Sequence, residues 1–192
     1  MRRYLLSALV VGGVGAIVGS AVSAAFVAQT SVDANAFSAG TVVMADSDAG
    51  LALFTLTGLT PASPAVARCV RVTYSGSLAA DVRLYATHAF TPAKGDLGPE
   101  LQLTVERGTE SAPASACTTF VANTTVYSGL LSAYPTTWAT GRVDPTAGSP
   151  ETWTNAEAHS YRITLAPRAG TTGALFQGRD VNETFRWEAR NQ

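Results

Sequence analysis

Two-residue alternation of apolar and polar side chains runs through most of this chain and constrains its fold to antiparallel β-sheet. In "RCVRVTY", Val70, Val72 and Tyr74 fall on one face and Cys69, Arg71 and Thr73 on the other. In "ELQLTVER", Leu101, Leu103 and Val105 oppose Gln102, Thr104 and Glu106. "HSYRITLAP" sets Tyr161, Ile163 and Leu165 against Arg162 and Thr164, and "NETFRWEAR" sets Phe185, Trp187 and Ala189 against Thr184, Arg186, Glu188 and Arg190. A strand turns successive side chains to opposite faces, so each stretch predicts one dry face and one wet face. "TVVMA", "LALFTLT" and "DVRLYAT" read as three further strands. Gly, Pro, Ser and Asp collect between these stretches, in "TPASP", "SGS", "TPAKGDLGP", "DPTAGSP" and "PRAGTTG", as turns require. No amphipathic helix is expected, beyond a short helical turn near "VYSGLLSAY".

Seven or eight short strands in about 165 residues predict an all-β, antiparallel two-sheet sandwich. Among sandwiches the expectation is a jelly roll. The strand count and long loops favour it over an immunoglobulin-like domain, and the cysteines do not bracket a suitable central tryptophan. The domain is expected over residues 40–192, with an irregular excursion over about 108–157 that carries Cys117, Trp138 and Trp153. The whole chain has 192 residues, enough for one domain with a substantial core.

The first 25 residues read differently. Arg2 and Arg3 form a basic start, Leu5 to Val22 carries no charge, and Ser23-Ala24-Ala25 supplies small residues. That is the layout of a secretory signal helix cleaved between Ala25 and Phe26. An uncleaved membrane anchor is the alternative, since the apolar run could nearly span a bilayer. On this reading the membrane is met only before cleavage, and residues 26–39 become a free N-terminal segment. Removing Arg2 and Arg3 leaves 11 of 13 basic residues against 14 acidic ones, a side-chain charge of −3. That balance argues against a nucleic-acid partner, which selects a basic face. In an oxidising compartment the two cysteines, Cys69 and Cys117, read as one disulfide closing a loop of about fifty residues. Two free thiols or a metal pair are the alternatives.

The chain contains none of the short motifs that mark zinc proteases, serine hydrolases or nucleotide-binding loops. His88 ends one predicted strand and His159 begins another, positions where histidine is usually a surface or capped residue. "DSDAG", Asp46 to Gly50, has a calcium-loop flavour, but Gly50 falls where a third oxygen ligand belongs, so it reads as a polar hairpin turn. No cofactor, catalytic residue or metal ligand is expected.

Three stretches resemble the TasA/camelysin family of secreted bacterial proteins, whose signal peptides are processed by a dedicated SipW-type signal peptidase. At the front, "AAFVAQTSVDANAFSAGTVVM" matches through Ala24, Ala25, Phe26, Phe37, Gly40 and Thr41. In the middle, "RCVRVTYSGSLAADVRLYA" matches through Gly76, Ser77 and Leu78, with Ser75 where Asn is usual. At the end, "ALFQGRDVNETFRWEARNQ" matches through Gln177, Gly178, Phe185, Trp187, Glu188 and Ala189. The resemblance implies a jelly-roll domain and a mature chain beginning at Phe26. It also implies one of two activities, a subunit of biofilm-matrix fibres or a surface metallo-endopeptidase.

Fibre assembly in that family implies a role for the opening segment. The N-terminal strand of one subunit completes a sheet of the next, with Phe26, Val27, Val32 and Phe37 as the apolar candidates. A head-to-tail contact that does not close gives filaments, so the expected partner is the chain itself, besides a signal peptidase during export. The alternative is that the segment lies on its own domain. Two other functions are weighed against the structural one. A zinc endopeptidase needs His88 and His159 to meet beside a carboxylate. An adhesion or carbohydrate-binding module needs Trp138 and Trp153 exposed on loops.

Overall fold

The computed structural model describes residues 27–29, 44–47, 53–111, 116–146, 149–150 and 152–191. The strands among them are β1 (Val27–Gln29), β2 (Met44–Asp46), β3 (Val66–Tyr74), β4 (Ala80–Ala89), β5 (Leu101–Glu110), β6 (Phe120–Leu130), β7 (Arg142–Val143), β8 (Pro145–Thr146), β9 (Ser149–Pro150), β10 (Thr152–Trp153), β11 (Ala158–Pro167) and β12 (Asn182–Asn191). One sheet has the order β1-β12-β4-β10, with β7 also on β4; the other has the order β2-β3-β11-β5-β6. β8 and β9 pair by themselves. All pairing between strands is antiparallel. The chain is a predominantly β protein of two packed sheets.

The alternation read from the sequence decides which faces meet. Val82, Leu84, Ala86, Trp187 and Ala189 of the first sheet are buried, as are Val70, Val72, Tyr74, Leu101, Leu103, Val105, Tyr161 and Ile163 of the second. They form one hydrophobic cluster, in which the rings of Tyr161 and Trp187 lie 5.3 Å apart across the sandwich. Trp153, Phe176, Leu97, Leu131 and Tyr134 join the same cluster from outside the long strands. Burial on this scale, at about 25 cal/mol per Å² of apolar surface, is the main term favouring folding.

Cys69 and Cys117 are joined, with Cα atoms 5.1 Å apart and a sequence separation of 48. Cys69 sits on the side of β3 away from the core, opposite Arg162 of β11, which itself lies opposite Glu106 of β5. On that outer face the Arg162 Nε and Nη2 each reach Glu106 Oε2 at 2.7 Å, and the guanidinium covers the Phe120 ring at 5.0 Å. The bridge therefore holds the start of β6 against the outside of its own sheet. β5 and β6 meet closely there, because Gly108 has no side chain: a Cβ would lie 2.1 Å from the Val121 carbonyl oxygen and 2.6 Å from Phe120 Cζ.

Three sequence expectations need correction. The irregular excursion does not begin at residue 108: β5 runs on to Glu110, and Phe120–Leu130 is a full strand. Two register shifts against β5 leave Val126 and Asn123 without a direct partner, and these bulges break the two-residue period that would have revealed the strand. The short helical turn expected near "VYSGLLSAY" is present as the 3-10 turn Leu131–Ala133. In "LALFTLT", the described part, Leu53 to Thr57, is not a strand. Leu53 and Phe54 are adjacent in sequence and both pack on the core, which a strand would forbid. Finally, Glu188 is not on a wet face but is 1% exposed. The Tyr85 hydroxyl donates to its Oε2, and Arg190 Nε donates to its Oε1 at 2.8 Å.

Candidate assembly edge

The opening segment is described only at Val27–Gln29; Ala25, Phe26, Val32 and Phe37 lie outside the described residues. β1 pairs antiparallel with the outer edge of β12, with Val27 opposite Arg190, Ala28 opposite Ala189 and Gln29 opposite Glu188. Paired residues thus have numbers that sum to 217. β4 occupies the other side of β12 along all of Asn182–Asn191. Beyond β1, among the described residues, no strand pairs with the edge from Asn182 to Trp187.

Polar groups on the outer face tie β12 to β4 and to the Trp138 turn. Tyr85 and Glu188 are both buried there, and burial first, then the hydrogen bond to Glu188, push the phenol up to about 12. The hydroxyl accordingly stays a donor at any physiological pH. Two guanidinium groups lie against the Trp138 ring, that of Arg190 at 4.4 Å and that of Arg83 at 5.1 Å. Arg83 Nη1 also donates to the carbonyls of Trp138 and Ala139, each at 3.2 Å. Cation–π contacts of this kind contribute about 0.5–1 kcal/mol each when partly exposed. Sequence reading missed this cluster, because Tyr85 and Glu188 stand 103 positions apart and only strand pairing brings them together.

The start of β12 is fixed by His88. Its Nδ1 lies 2.8 Å from Glu183 Oε2 and its Nε2 3.0 Å from Asp96 Oδ2, which ties the loop after β4 to β12. Gly98 packs against the ring, and a Cβ there would meet His88 Cε1 at 2.7 Å. Burial lowers the His88 pKa, but the hydrogen bonds and charges of Glu183 and Asp96 outweigh it and raise it above its ordinary value. Burial raises the Glu183 pKa, partly offset by His88. A histidine with a raised folded pKa contributes stability that is fully present below its unfolded pKa and is lost as pH rises through the folded value. Glu183, also raised, acts in the same direction near its own lower range. The wild-type chain is therefore expected to exceed His88→Gln in stability at pH 5.5 by a margin that narrows at pH 8.5. Urea unfolding at the two pH values checks this, and a constant margin contradicts it.

His159 does not join His88. It stacks edge-on against Trp153 at 4.5 Å, and Trp153 pairs with Ala80, at the opposite end of β4 from His88. Eight residues of strand separate Ala80 from His88, about 26 Å. Around His159 lie Glu157 at 2.9 Å and the fully buried Asp144, which also accepts from Trp153 Nε1 at 3.1 Å and pairs with Arg107 at 3.2 Å. This cluster fastens the β7–β10 region to β5 and β11. Among the described residues no group of three or more His, Cys, Asp or Glu could hold a metal ion. Trp153 is buried in the core, and Trp138 is half-buried with Arg83 and Arg190 against its ring. No helix among the described residues is long and apolar enough to cross a membrane.

No model of a known protein family matches the chain, and no curated protein matches it.

Proposed function

We propose that this chain is an exported, non-enzymatic structural subunit that polymerises head-to-tail. Residues 26–35 of one copy leave their own domain and pair with the β12 edge of the next. The observation that carries this reading is the antiparallel seating of Val27–Gln29 on β12. A donated strand keeping the same register would run from Phe26, opposite Asn191, to Asn35, opposite Asn182. It would cover the whole of β12. Directly opposed residues of an antiparallel pair share a face. The donated Phe26, Ala28, Thr30 and Val32 would then share the face of Trp187 and Ala189, with Val32 opposite Phe185. Val27, Gln29, Ser31 and Asp33 would face outward.

Exchange would keep the pairing of Val27–Gln29 and would add pairing along the rest of β12. Swapping an identical element between copies costs little beyond association entropy. The connection from β1 to β2 comprises residues 30–43 and joins strands in different sheets. Fourteen residues can extend to about 50 Å, far more than the ~10 Å between packed sheets, so the connection can reach a neighbour. The resemblance to the TasA/camelysin family, with its jelly-roll domain, signal peptide and fibres, supports the reading. So does the Cys69–Cys117 bond, which belongs in an oxidising, extracytoplasmic setting. Electron microscopy of the secreted protein, its first residue fixed as Phe26 by mass spectrometry, should show filaments. Monomers at every concentration would reject the proposal.

A further inference from the structure

Among the described residues three large apolar side chains stand exposed, Leu78 at 45%, Phe90 at 40% and Val121 at 62%. Val121 lies within β6, but the other two mark opposite ends of the sandwich. Leu78 is in the turn of residues 75–79 that leads from β3 to β4, and Phe90 directly follows β4. Both sit on backbone that is tied in place. The buried Tyr74 donates its hydroxyl hydrogen to the Leu78 carbonyl. Thr91, next to Phe90, donates its N–H and its hydroxyl to the two Asp180 carboxylate oxygens, each at 2.7 Å. The Thr91 carbonyl in turn accepts from the N–H groups of Lys94 and Gly95.

The chain that connects a donated strand to its own domain decides which ends meet. In the register of β1, residue 35 of a fully paired strand would fall opposite Asn182, and Asn182 pairs with Ala89, the neighbour of Phe90. The donor's own domain resumes at Met44, opposite Tyr74 and beside the Leu78 turn. The Cα steps from residue 35 to Met44 extend to at most about 30 Å. Within one chain these two points lie at opposite ends of the sandwich, about 30 Å apart along β4 and ~10 Å across the packed sheets. The full ladder would leave a single chain no slack. Between two copies, the same connection sets the Leu78 end of the donor beside the Phe90 end of the acceptor.

We propose that the Leu78 turn of each copy packs end-on against Phe90 of the copy that receives its N-terminal strand. This inference rests on strand donation as the mode of assembly and adds a second contact to it. Residues 75–79 carry no charge, so docking the turn desolvates no ion. Because both anchors sit on tied backbone, their contact costs little further ordering.

The test reads the concentration at which the secreted chain forms filaments. Leu78→Lys and Phe90→Glu should each raise it about tenfold, because an apolar contact is lost and a charge desolvated. A chain carrying both substitutions should assemble more readily than either single variant, since lysine then meets glutamate across each junction. Both side chains are exposed, so the melting temperatures should match the parent's. If either falls, Leu78→Ser and Phe90→Ser replace them, and each should raise the concentration several-fold. Single variants that form filaments at the parent's concentration overturn the end-on contact and leave strand donation standing. A double variant no better than the weaker single one also overturns it. A parent that forms no filaments overturns strand donation, and this contact with it.

Discussion

Val32→Asp and Phe26→Asp should abolish polymerisation of the secreted chain, whereas Val27→Asp and Ser31→Asp should leave it intact. The contrast comes from parity alone. If the register that β1 sets on β12 continues through the donated strand, position 32 would fall opposite Phe185, on the core side, and an unpaired carboxylate there would cost about 3 kcal/mol or more. That is roughly a hundredfold in the concentration needed to assemble. Position 27 lies opposite Arg190, and position 31 would lie opposite Arg186, so aspartate at either meets a cation on the outer face. Light scattering against concentration, with the domain's melting temperature as a control for folding, separates the two pairs. Equal loss in all four variants would mean that the segment does not bind as a strand in this register.

Reduction of the Cys69–Cys117 bond, or its replacement in Cys69→Ala/Cys117→Ala, should lower the stability of the domain by about 3–4 kcal/mol. For a domain of this size that corresponds to a fall in melting temperature of roughly 10 °C. The chain-entropy part follows from the 48-residue separation. The local part concerns Cys117, whose backbone is left-handed at φ 58°, a conformation costly to any residue with a Cβ and held here by the bridge. Once the bridge is cut, the start of β6 loses its tie to β3, and Phe120 its fixed place over Gly108. Differential scanning calorimetry with and without reductant measures the effect, and coincident transitions would contradict it.

The core strands were legible because a two-residue period survives wherever pairing is regular. Val70 to Tyr74, Leu101 to Val105, Tyr161 to Ile163 and Phe185 to Ala189 all point where the alternation placed them. β6 was not legible because its two bulges shift the parity twice within 11 residues. The two-residue strands β7 to β10 are too short to carry any period. "LALFTLT" misled for the opposite reason: apolar side chains reach the core from a segment without ladder hydrogen bonds. The polar network around Tyr85, Glu188 and Trp138 depends on contacts between distant parts of the chain, which no local pattern encodes. The opening segment drew attention through family resemblance, but its parity was ambiguous. Continued along β12, the register of Val27–Gln29 would set Val32 and Phe26 apart from Val27.

The most direct measurement is a mixing experiment with two variants of the secreted chain that each add one cysteine to the native disulfide pair, Val32→Cys in one preparation and Phe185→Cys in the other. Directly opposed residues of an antiparallel pair have Cα atoms about 4.5–5.5 Å apart, within disulfide range. If residues 26–35 are donated, mild oxidation of the mixture yields a covalent product joining one chain of each kind, and a chain carrying both substitutions yields a ladder of linked oligomers. If the segment stays on its own domain, the mixture yields no linked product and the double variant closes into an intrachain bond, a result that would contradict assembly by strand donation.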